Sequence, residues 1–340
     1  MQQDMNGSNT NGGQSQNAFR AYSMLDYMQI ALESDMAKFA EGGSLKSGYD
    51  NLDTYTSLYP GLYVIGGVSS LGKTTFIHQM ADQIAKAGRK VIYFSLEQST
   101  LELATKSLSR LMAMQDPSSA MSSLELRKGG TASIELVREQ YSQYADNVII
   151  PPCSFDTTIK TIETYVKNYI RQYQVKPVVV VDYLQAINQG DARRLSTKDV
   201  VDMHVRRLKQ LQRNNDLVLI VISSLNRQNY LSQIDFESFK ESGGIEYTAD
   251  VVWGLQLEIL HDELFDTQNK INEKREKVRE AKAKNPRMVE LVCLKNRFGI
   301  SSYSCLFRYF PQYDWFVPDM ANETASDDFM DCPDIFSPFR

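Results

Sequence analysis

Residues 66–75 read Gly-Gly-Val-Ser-Ser-Leu-Gly-Lys-Thr-Thr, a complete G-x-x-x-x-G-K-[ST] pattern placed directly after the apolar run Tyr63-Val64-Ile65. The chemistry of such a segment is phosphate binding. Its glycines let the backbone curl until several N–H groups face one anion. Gly67, Ser69, Ser70, Leu71, Gly72, Lys73, Thr74 and Thr75 are therefore the candidate nucleotide contacts. Lys73 supplies a point charge for the β and γ phosphates, and Thr74 offers a hydroxyl to Mg²⁺, so ATP and Mg²⁺ are the expected cofactors. The residues that follow, with Phe76, Ile77, Met80, Ala81, Ile84 and Ala85 at helical spacing, predict a helix leading out of the loop.

Hydrolysis needs more than a cradle. It needs a second metal contact and a group that orients water, both on neighbouring strands. Pro177-Val178-Val179-Val180-Val181-Asp182 is a buried-strand pattern that ends in an acid, about a hundred residues beyond the phosphate loop. Asp182 is the candidate metal carboxylate, acting with Thr74 and partly through water. A second apolar run, Val91-Ile92-Tyr93-Phe94, leads into Ser95-Leu96-Glu97. Ligands of parallel sheets bind at the C-terminal strand edge, which makes Glu97 either a catalytic carboxylate or a helix-capping surface acid.

The elements that must position these groups alternate strand and helix, which predicts an α/β fold with a mainly parallel sheet. Strands are expected at 62–66, 90–95, 147–150, 177–182 and 217–223, and helices at 73–87, 100–114, 157–172 and 198–214. After Asp250 the pattern becomes strands without helices between them, near 250–257, 289–296 and 302–310, interrupted by a charged stretch from Glu258 to Arg287. Residues 270–287 hold eight basic and three acidic side chains and read as a solvated helical arm.

At the front, residues 1–17 are Asn, Gln, Gly and Ser with little to bury, an expected disordered tail. A linker or docking element at 18–43 follows, its helix over 18–41 carrying Leu25, Met28, Leu32, Met36 and Phe39 on one stripe. That stripe must pack on its own domain or on a neighbouring subunit. The segment 319–340 carries six acids with interspersed aromatics and reads as a flexible acidic tail or a docking peptide.

Composition sets outer bounds. The 340 residues are 42% hydrophobic and 23% charged, enough to bury a core, and the net charge of −5 argues against a generally basic nucleic-acid binder. A local basic channel is still allowed, because charges beyond about 8–10 Å are screened. No apolar run is long enough to span a membrane and no signal-peptide layout is present, so the expected location is the cytoplasm. The four cysteines form no C-x-x-C pair and are expected as free thiols.

Five further segments lie in order with these. They are Phe94-Ser95-Leu96-Glu97, Asp182-Tyr183-Leu184-Gln185, Leu225-Asn226-Arg227, Glu241-Ser242-Gly243-x-Ile245-Glu246-x-x-Ala249-Asp250 and Lys295-x-Arg297. Together they resemble the C-terminal motor of DnaB-type replicative helicases, from about Ser44 to Phe316 apart from the 258–287 arm. The resemblance implies a RecA-like P-loop ATPase over 44–318, with a C-terminal antiparallel β extension and an N-terminal linker helix. It implies that Glu97 polarises the attacking water and that Asp182 holds the Mg²⁺ shell. Lys295 and Arg297 would reach the active site of the adjacent subunit, Arg297 as an arginine finger, which requires a homo-oligomer, by resemblance a hexameric ring. Lys240, Glu241 and Gly243 would grip the phosphates of single-stranded DNA, with Lys240 where arginine is more usual. Arg193 and Arg194, in the loop 188–199, are a second DNA candidate on composition, equally an exposed turn.

Two departures qualify the resemblance. Residues 223–227 read Ser-Ser-Leu-Asn-Arg where the family pattern has S-Q-L-N-R, so the γ-phosphate sensor would be the shorter Ser224. The family's N-terminal primase-recruiting domain has no counterpart beyond the 18–41 helix, a layout closer to the helicase half of phage or mobile-element primase-helicases. The function these readings imply is ATP-driven 5′→3′ translocation on single-stranded DNA and duplex unwinding in replication, with a primase or loader as partner. The alternative is a RecA- or RadA-like, or switch-type, DNA-dependent ATPase that assembles on DNA without processive unwinding.

Overall fold

Valine, isoleucine and aromatic residues dominate the segments that become the central strands, and their alternation decides which face each side chain takes. The computed structural model describes residues 23–42, 45–129, 134–190, 195–225, 230–239, 243–267 and 269–320. The strands are β1 (Gly61–Gly67), β2 (Val91–Ser95), β3 (Val148–Ile149), β4 (Val178–Asp182), β5 (Val218–Ser224), β6 (Val251–Leu257), β7 (Arg287–Asn296), β8 (Ser304–Phe310) and β9 (Trp315–Pro318). Among the described residues they form one nine-stranded sheet in the order β3-β2-β4-β5-β1-β6-β7-β8-β9. β1 to β6 pair in parallel, and β7, β8 and β9 extend the sheet antiparallel, as the α/β expectation had it. β9 is the strand the sequence reading missed. It has four residues and follows β8 through a single 3₁₀ turn, too short for a periodic signal.

The chain divides into two compact units, residues 1–41 and 42–340. In the first, α1 (Met24–Ile30) and α2 (Leu32–Gly42) replace the single helix expected over 18–41. Residues 18–22 of that expectation lie outside the described residues. α1 starts at a capping box, in which the Ser23 hydroxyl accepts from the Asp26 N–H at 3.1 Å and the Asp26 carboxylate accepts from the Ser23 N–H at 3.0 Å. The step between the helices falls at Ala31, where no glycine or proline announces it.

In the second unit the helices are α3 (Asp50–Tyr55), α4 (Lys73–Lys86), α5 (Thr100–Gln115), α6 (Ser123–Arg127), α7 (Ile134–Ala145), α8 (Ile159–Tyr173), α9 (Thr197–Asn215), α10 (Gly243–Thr248) and α11 (Ile271–Ala283). The pleat of β1 sorts its side chains between two cores. Tyr63 and Ile65 join Phe76, Ile77 and Met80 of α4 on one face, while Leu62 and Val64 join Ile162 of α8 and Val205 and Leu208 of α9 on the other. Both faces of the parallel strands are thus covered, which is why those strands read as near-continuous apolar runs.

α4 is buried on more than its apolar stripe: His78, Gln79 and Asp82 are buried too. The partners of Gln79 and Asp82 come from late in the chain and from α5. Gln79 Nε2 donates to the Phe316 carbonyl at 2.8 Å and Gln79 Oε1 accepts from the Phe316 N–H at 2.8 Å, so one side chain pairs with β9 as a strand would. Asp82 accepts from Arg110 of α5 and, at 2.6 Å, from the Ser107 hydroxyl. Arg110 also donates to the Asp314 carbonyl at 2.9 Å. His78 is held neutral, its pKa pulled to about 4 by burial.

The 258–287 stretch is helical at α11, most of which is exposed as a solvated arm would be, but one side of it is packed. Val278 and Ala281 pack against the second core, and buried Lys274 donates its Nζ to the Phe265 carbonyl at 2.9 Å and to the Thr267 carbonyl. The high charge count hid three things: apolar anchors that include Leu260 and Phe265, a buried lysine stem and two 3₁₀ turns at Glu258–His261 and Glu263–Asp266. Among the described residues no helix is long and apolar enough to cross a membrane. Cys153, Cys293 and Cys305 are free thiols, and Cys332 lies outside the described residues.

Arg110 and Asp82 have side chains only 4% and 7% exposed, so removing one partner strands a buried charge. Arg110→Ala is expected to lower unfolding stability by about 3–5 kcal/mol. An unchanged denaturation midpoint in urea would remove this pair from the determinants of the fold.

Candidate active site

The phosphate loop is set by a strand that ends and a helix that begins within six residues of each other. Gly66 faces the Phe239 ring, and a Cβ there would lie 2.5 Å from it. Gly72, at φ +88°, is the left-handed turn that starts α4, and a Cβ there would lie 2.9 Å from Tyr309 and 3.0 Å from Phe316. Neither glycine can be replaced without moving an aromatic ring. The first turn of α4 therefore points its free N–H groups into the loop, where an anion is favoured by geometry and by the helix dipole.

Parallel register brings the remaining groups to the same edge. Gly67 pairs with Ser224 across β1 and β5, and Ser95 pairs with Asp182 across β2 and β4. The edge opens into a cavity of about 600 Å³, whose lining includes Lys73, Thr74, Glu97, Asp182 and Ser224. These five expected residues are brought together by the structure, as are Ser69, Ser70, Gly72 and Thr75 of the loop. Gly67 and Leu71 belong to the loop but not to the cavity wall, and Leu71 is fully buried in the second core.

Lys73 folds over its own loop, its Nζ donating to the carbonyls of Gly67 at 2.7 Å and Val68 at 3.2 Å. Burial pulls its pKa from 10.5 to about 8, against the opposing pull of Asp182 and Glu97. The Thr74 hydroxyl lies 3.3 Å from Asp182 Oδ1, and Tyr93 donates its hydroxyl to Oδ2 at 2.9 Å. Burial raises the Asp182 pKa, and the Tyr93 and Thr74 hydrogen bonds work against that rise. A hydroxyl and a carboxylate side by side are hard oxygen donors, the set that suits Mg²⁺ completed by substrate phosphates. Among the described residues no cluster of three His, Cys, Asp or Glu side chains forms a separate metal cage. Glu97 is exposed at the cavity mouth, just beyond β2.

Lys106, Arg287 and Tyr309 are among the cavity residues that carry no mark in the sequence. Lys106 of α5 donates to Thr75 Oγ1 at 3.1 Å and pairs with Asp314 at 3.1 Å. Arg287, which sequence treats only as one charge in a basic run, donates to the Ser70 carbonyl at 2.8 Å and lies over the Tyr309 ring at 5.9 Å. Tyr309 itself comes from β8. None carries a local signal, because each arrives through pairing with elements far away in sequence. Gln185, quoted above only as part of a motif, accepts from the Ser224 N–H at 3.1 Å and donates to the Ser223 hydroxyl at 3.0 Å. It places an amide beside the short Ser224.

Lys295 and Arg297 are not at this cavity. They lie at the end of β7, which runs antiparallel to β6 with Val251 opposite Asn296. Arg297 N–H donates to the Asp250 carbonyl at 3.0 Å, and Asp250 N–H donates to the Leu62 carbonyl at 2.9 Å, so the pair sits level with the start of β1. At ~3.3 Å per residue, Leu62 and Gly67 are about 17 Å apart. The two basic side chains therefore lie at the opposite edge of the sheet from their own phosphate loop.

Of the DNA candidates, Arg193, Arg194, Lys240 and Glu241 lie outside the described residues. Gly243 is exposed and opens α10. The residue before Lys240, Phe239, bridges to Leu225 just beyond β5 and packs on Gly66.

A family model described as the DnaB-like helicase C terminal domain matches residues 44–316. A "Probable replicative DNA helicase" of Trieres chinensis is 26% identical over 300 residues, covering 85% of this chain and 60% of that protein. The replicative DNA helicase DnaB of Helicobacter pylori strain J99 is 29% identical over 249 residues, covering 65% of this chain and 47% of that protein. The chain thus spans about half the length of these curated relatives. A solved structure of a DnaB-like replicative helicase, described with its interactions with primase, superposes with a TM-score of 0.66 at 20% identity. The superposition covers 88% of this chain and 67% of that one, a likeness of fold.

The charged form of Lys73 is the one that attracts phosphate, and in the nucleotide-free protein it loses its proton near pH 8. Affinity for a non-hydrolysable ATP analogue should be flat below pH 8 and fall above it, by up to about tenfold per unit. Calorimetric titrations at pH 7 and 9.5 check this. A constant affinity would mean that another cation carries the phosphate charge.

Proposed function

The chain belongs to the DnaB-like helicase C-terminal domain family, and from that premise we propose that it is the ATP-hydrolysing motor of a ring-forming DNA helicase. It moves along single-stranded DNA, with 5′→3′ polarity, and separates duplex by excluding one strand during replication in the cytoplasm. The observation that carries this reading is the separation of two half-sites. Lys73, Thr74, Asp182 and Glu97 sit at one edge of the sheet, while Lys295 and Arg297 sit at the other. Such a chain completes its site only when a second copy brings its far edge to the first copy's cavity. Repetition of that head-to-tail contact closes a ring, for which we propose six subunits.

Within one cavity, placement supports one role for each residue. Lys73 leaves the Gly67 and Val68 carbonyls to meet the β and γ phosphates. Thr74 and Asp182 are the residues that would hold Mg²⁺, which would supply positive charge to offset that of the phosphates. Glu97, exposed beside the γ-phosphate position, orients the attacking water. Arg297 of the next copy, seconded by Lys295, stabilises the charge that spreads over the transferred phosphoryl group. Ser224, with the Gln185 amide beside it, senses the γ-phosphate. The change reaches the DNA through Phe239, which touches both Gly66 and Leu225 and precedes Lys240. Lys240, Glu241 and Gly243, with Arg193 and Arg194, hold the DNA backbone. Contacts of that kind are sequence-tolerant and salt-sensitive. A primase or a loader is the expected further partner.

The test is ATP turnover against protein concentration, with and without single-stranded DNA. Wild-type turnover per chain should rise with concentration and with DNA, and Arg297→Ala should lose about 10³-fold of the stimulated rate. If both proteins hydrolyse alike at every concentration, the shared-site ring is wrong. A forked duplex then reads unwinding directly, and turnover without strand separation would demote the chain to a DNA-dependent switch.

A further inference from the structure

Arg297 can act on a neighbour's nucleotide only if something holds it in place, and the residues that do so are all in its own chain. The Asp250 carboxylate, 7% exposed, accepts from Arg297 Nη1 at 3.2 Å through Oδ1. Its Oδ2 accepts from the Leu62 N–H at 2.7 Å and from Lys209 of α9. The Arg297 backbone is fixed by the Asp250 carbonyl at 3.0 Å, and Arg297 Nη2 reaches the Tyr247 carbonyl at 3.4 Å. Lys295 Nζ donates to the Glu246 carbonyl. Glu246 and Tyr247 are in the last turn of α10, where backbone carbonyls lack helix partners and present partial negative charge.

Arg297 is half exposed and fastened on one side only. A long side chain free to sample many rotamers would seldom stand in the geometry that phosphoryl transfer needs. Asp250 is itself immobile, because Leu62 and Lys209 fix its other oxygen. Burying a lone carboxylate here would be costly, yet three donors surround it.

We infer that Asp250 is a positioning residue for catalysis at the adjacent subunit: with the end of α10 it forms the seat that aims Arg297 across the interface. This rests on the shared-site reading above. Asp250 touches no nucleotide of its own chain, and it acts through Arg297 alone.

Subunit mixing tests it. In Asp250→Asn the shape is kept and the charge lost; DNA-stimulated kcat should fall about tenfold while the KM for ATP changes less than about twofold. Next, Asp250→Asn is co-assembled with Lys73→Ala, which has a dead phosphate loop but an intact finger. Activity should exceed the sum of the two separate proteins, because the Lys73→Ala chain lends its finger to the Asp250→Asn cavity. Arg297→Ala mixed with Lys73→Ala is the reference. If the reference pair fails to complement, the shared-site reading itself is lost. If it complements and the Asp250→Asn pair does not, Asp250 serves its own chain and the inference is overturned. A double variant closes the remaining gap: in an Arg297→Ala background, Asp250→Asn should cost less than about twofold more. A further tenfold loss there would refute action through Arg297, whatever the variant does to folding.

Discussion

The parallel register of β1, β5, β4 and β2 is the constraint on which the site depends. β1 and β5 stop together at Gly67 and Ser224, and β2 and β4 stop together at Ser95 and Asp182, two residues short of them along the same edge. Each stop delivers one chemical group: the loop with Lys73, the serine beside Gln185, the buried carboxylate, and Glu97. A slip of one residue in any pair would turn that strand's side chains to the other face and exchange cavity groups for core groups. The two apolar layers oppose the slip, since Tyr63 and Ile65 belong to the core that holds α4, and Leu62 and Val64 to the core that holds α8 and α9.

Much of this was legible in sequence for a physical reason. The phosphate loop, the Asp182 strand and the Glu97 strand are local patterns, in which residue type and spacing state both the element and its chemistry. The first eight strands and the four expected helices between strands, α4, α5, α8 and α9, were readable for the same reason. What could not be read is what long-range pairing supplies. Lys106 and Arg287 enter the cavity from α5 and β7 with no motif of their own. α6 and α7 lie where no strong stripe marks a helix, although Ser122 and Glu125 do form the capping box that S-x-x-E announces. The charged stretch before β7 misled because composition counts head groups and ignores where their stems lie. Lys274 is buried with its ammonium on two carbonyls, and Lys282 lies 5.8 Å from the Tyr230 ring.

A second theme is how strongly the phosphate-loop helix depends on the end of the sheet. Gln79 is paired with Phe316, Thr75 donates to Asp314 at 3.1 Å, and Arg110 joins Asp82 of α4 to the Asp314 carbonyl. The antiparallel strands that carry Lys295 and Arg297 therefore belong to the same rigid assembly as the loop. Packed rings, Phe76 on Phe307 and Tyr309 on Phe316, join α4 to these strands.

Lys73 is already satisfied by two carbonyls of the loop that it serves. Phosphate therefore enters as a competitor for a lysine that is engaged, and its net hold on that lysine is the difference between two sets of bonds. The same carbonyls are there to take the ammonium back when phosphate departs, which offsets part of the cost of losing the phosphate bonds. Binding at this cradle is therefore an exchange of hydrogen bonds at one ammonium, with Gly67 and Val68 on one side of the balance and the phosphate oxygens on the other.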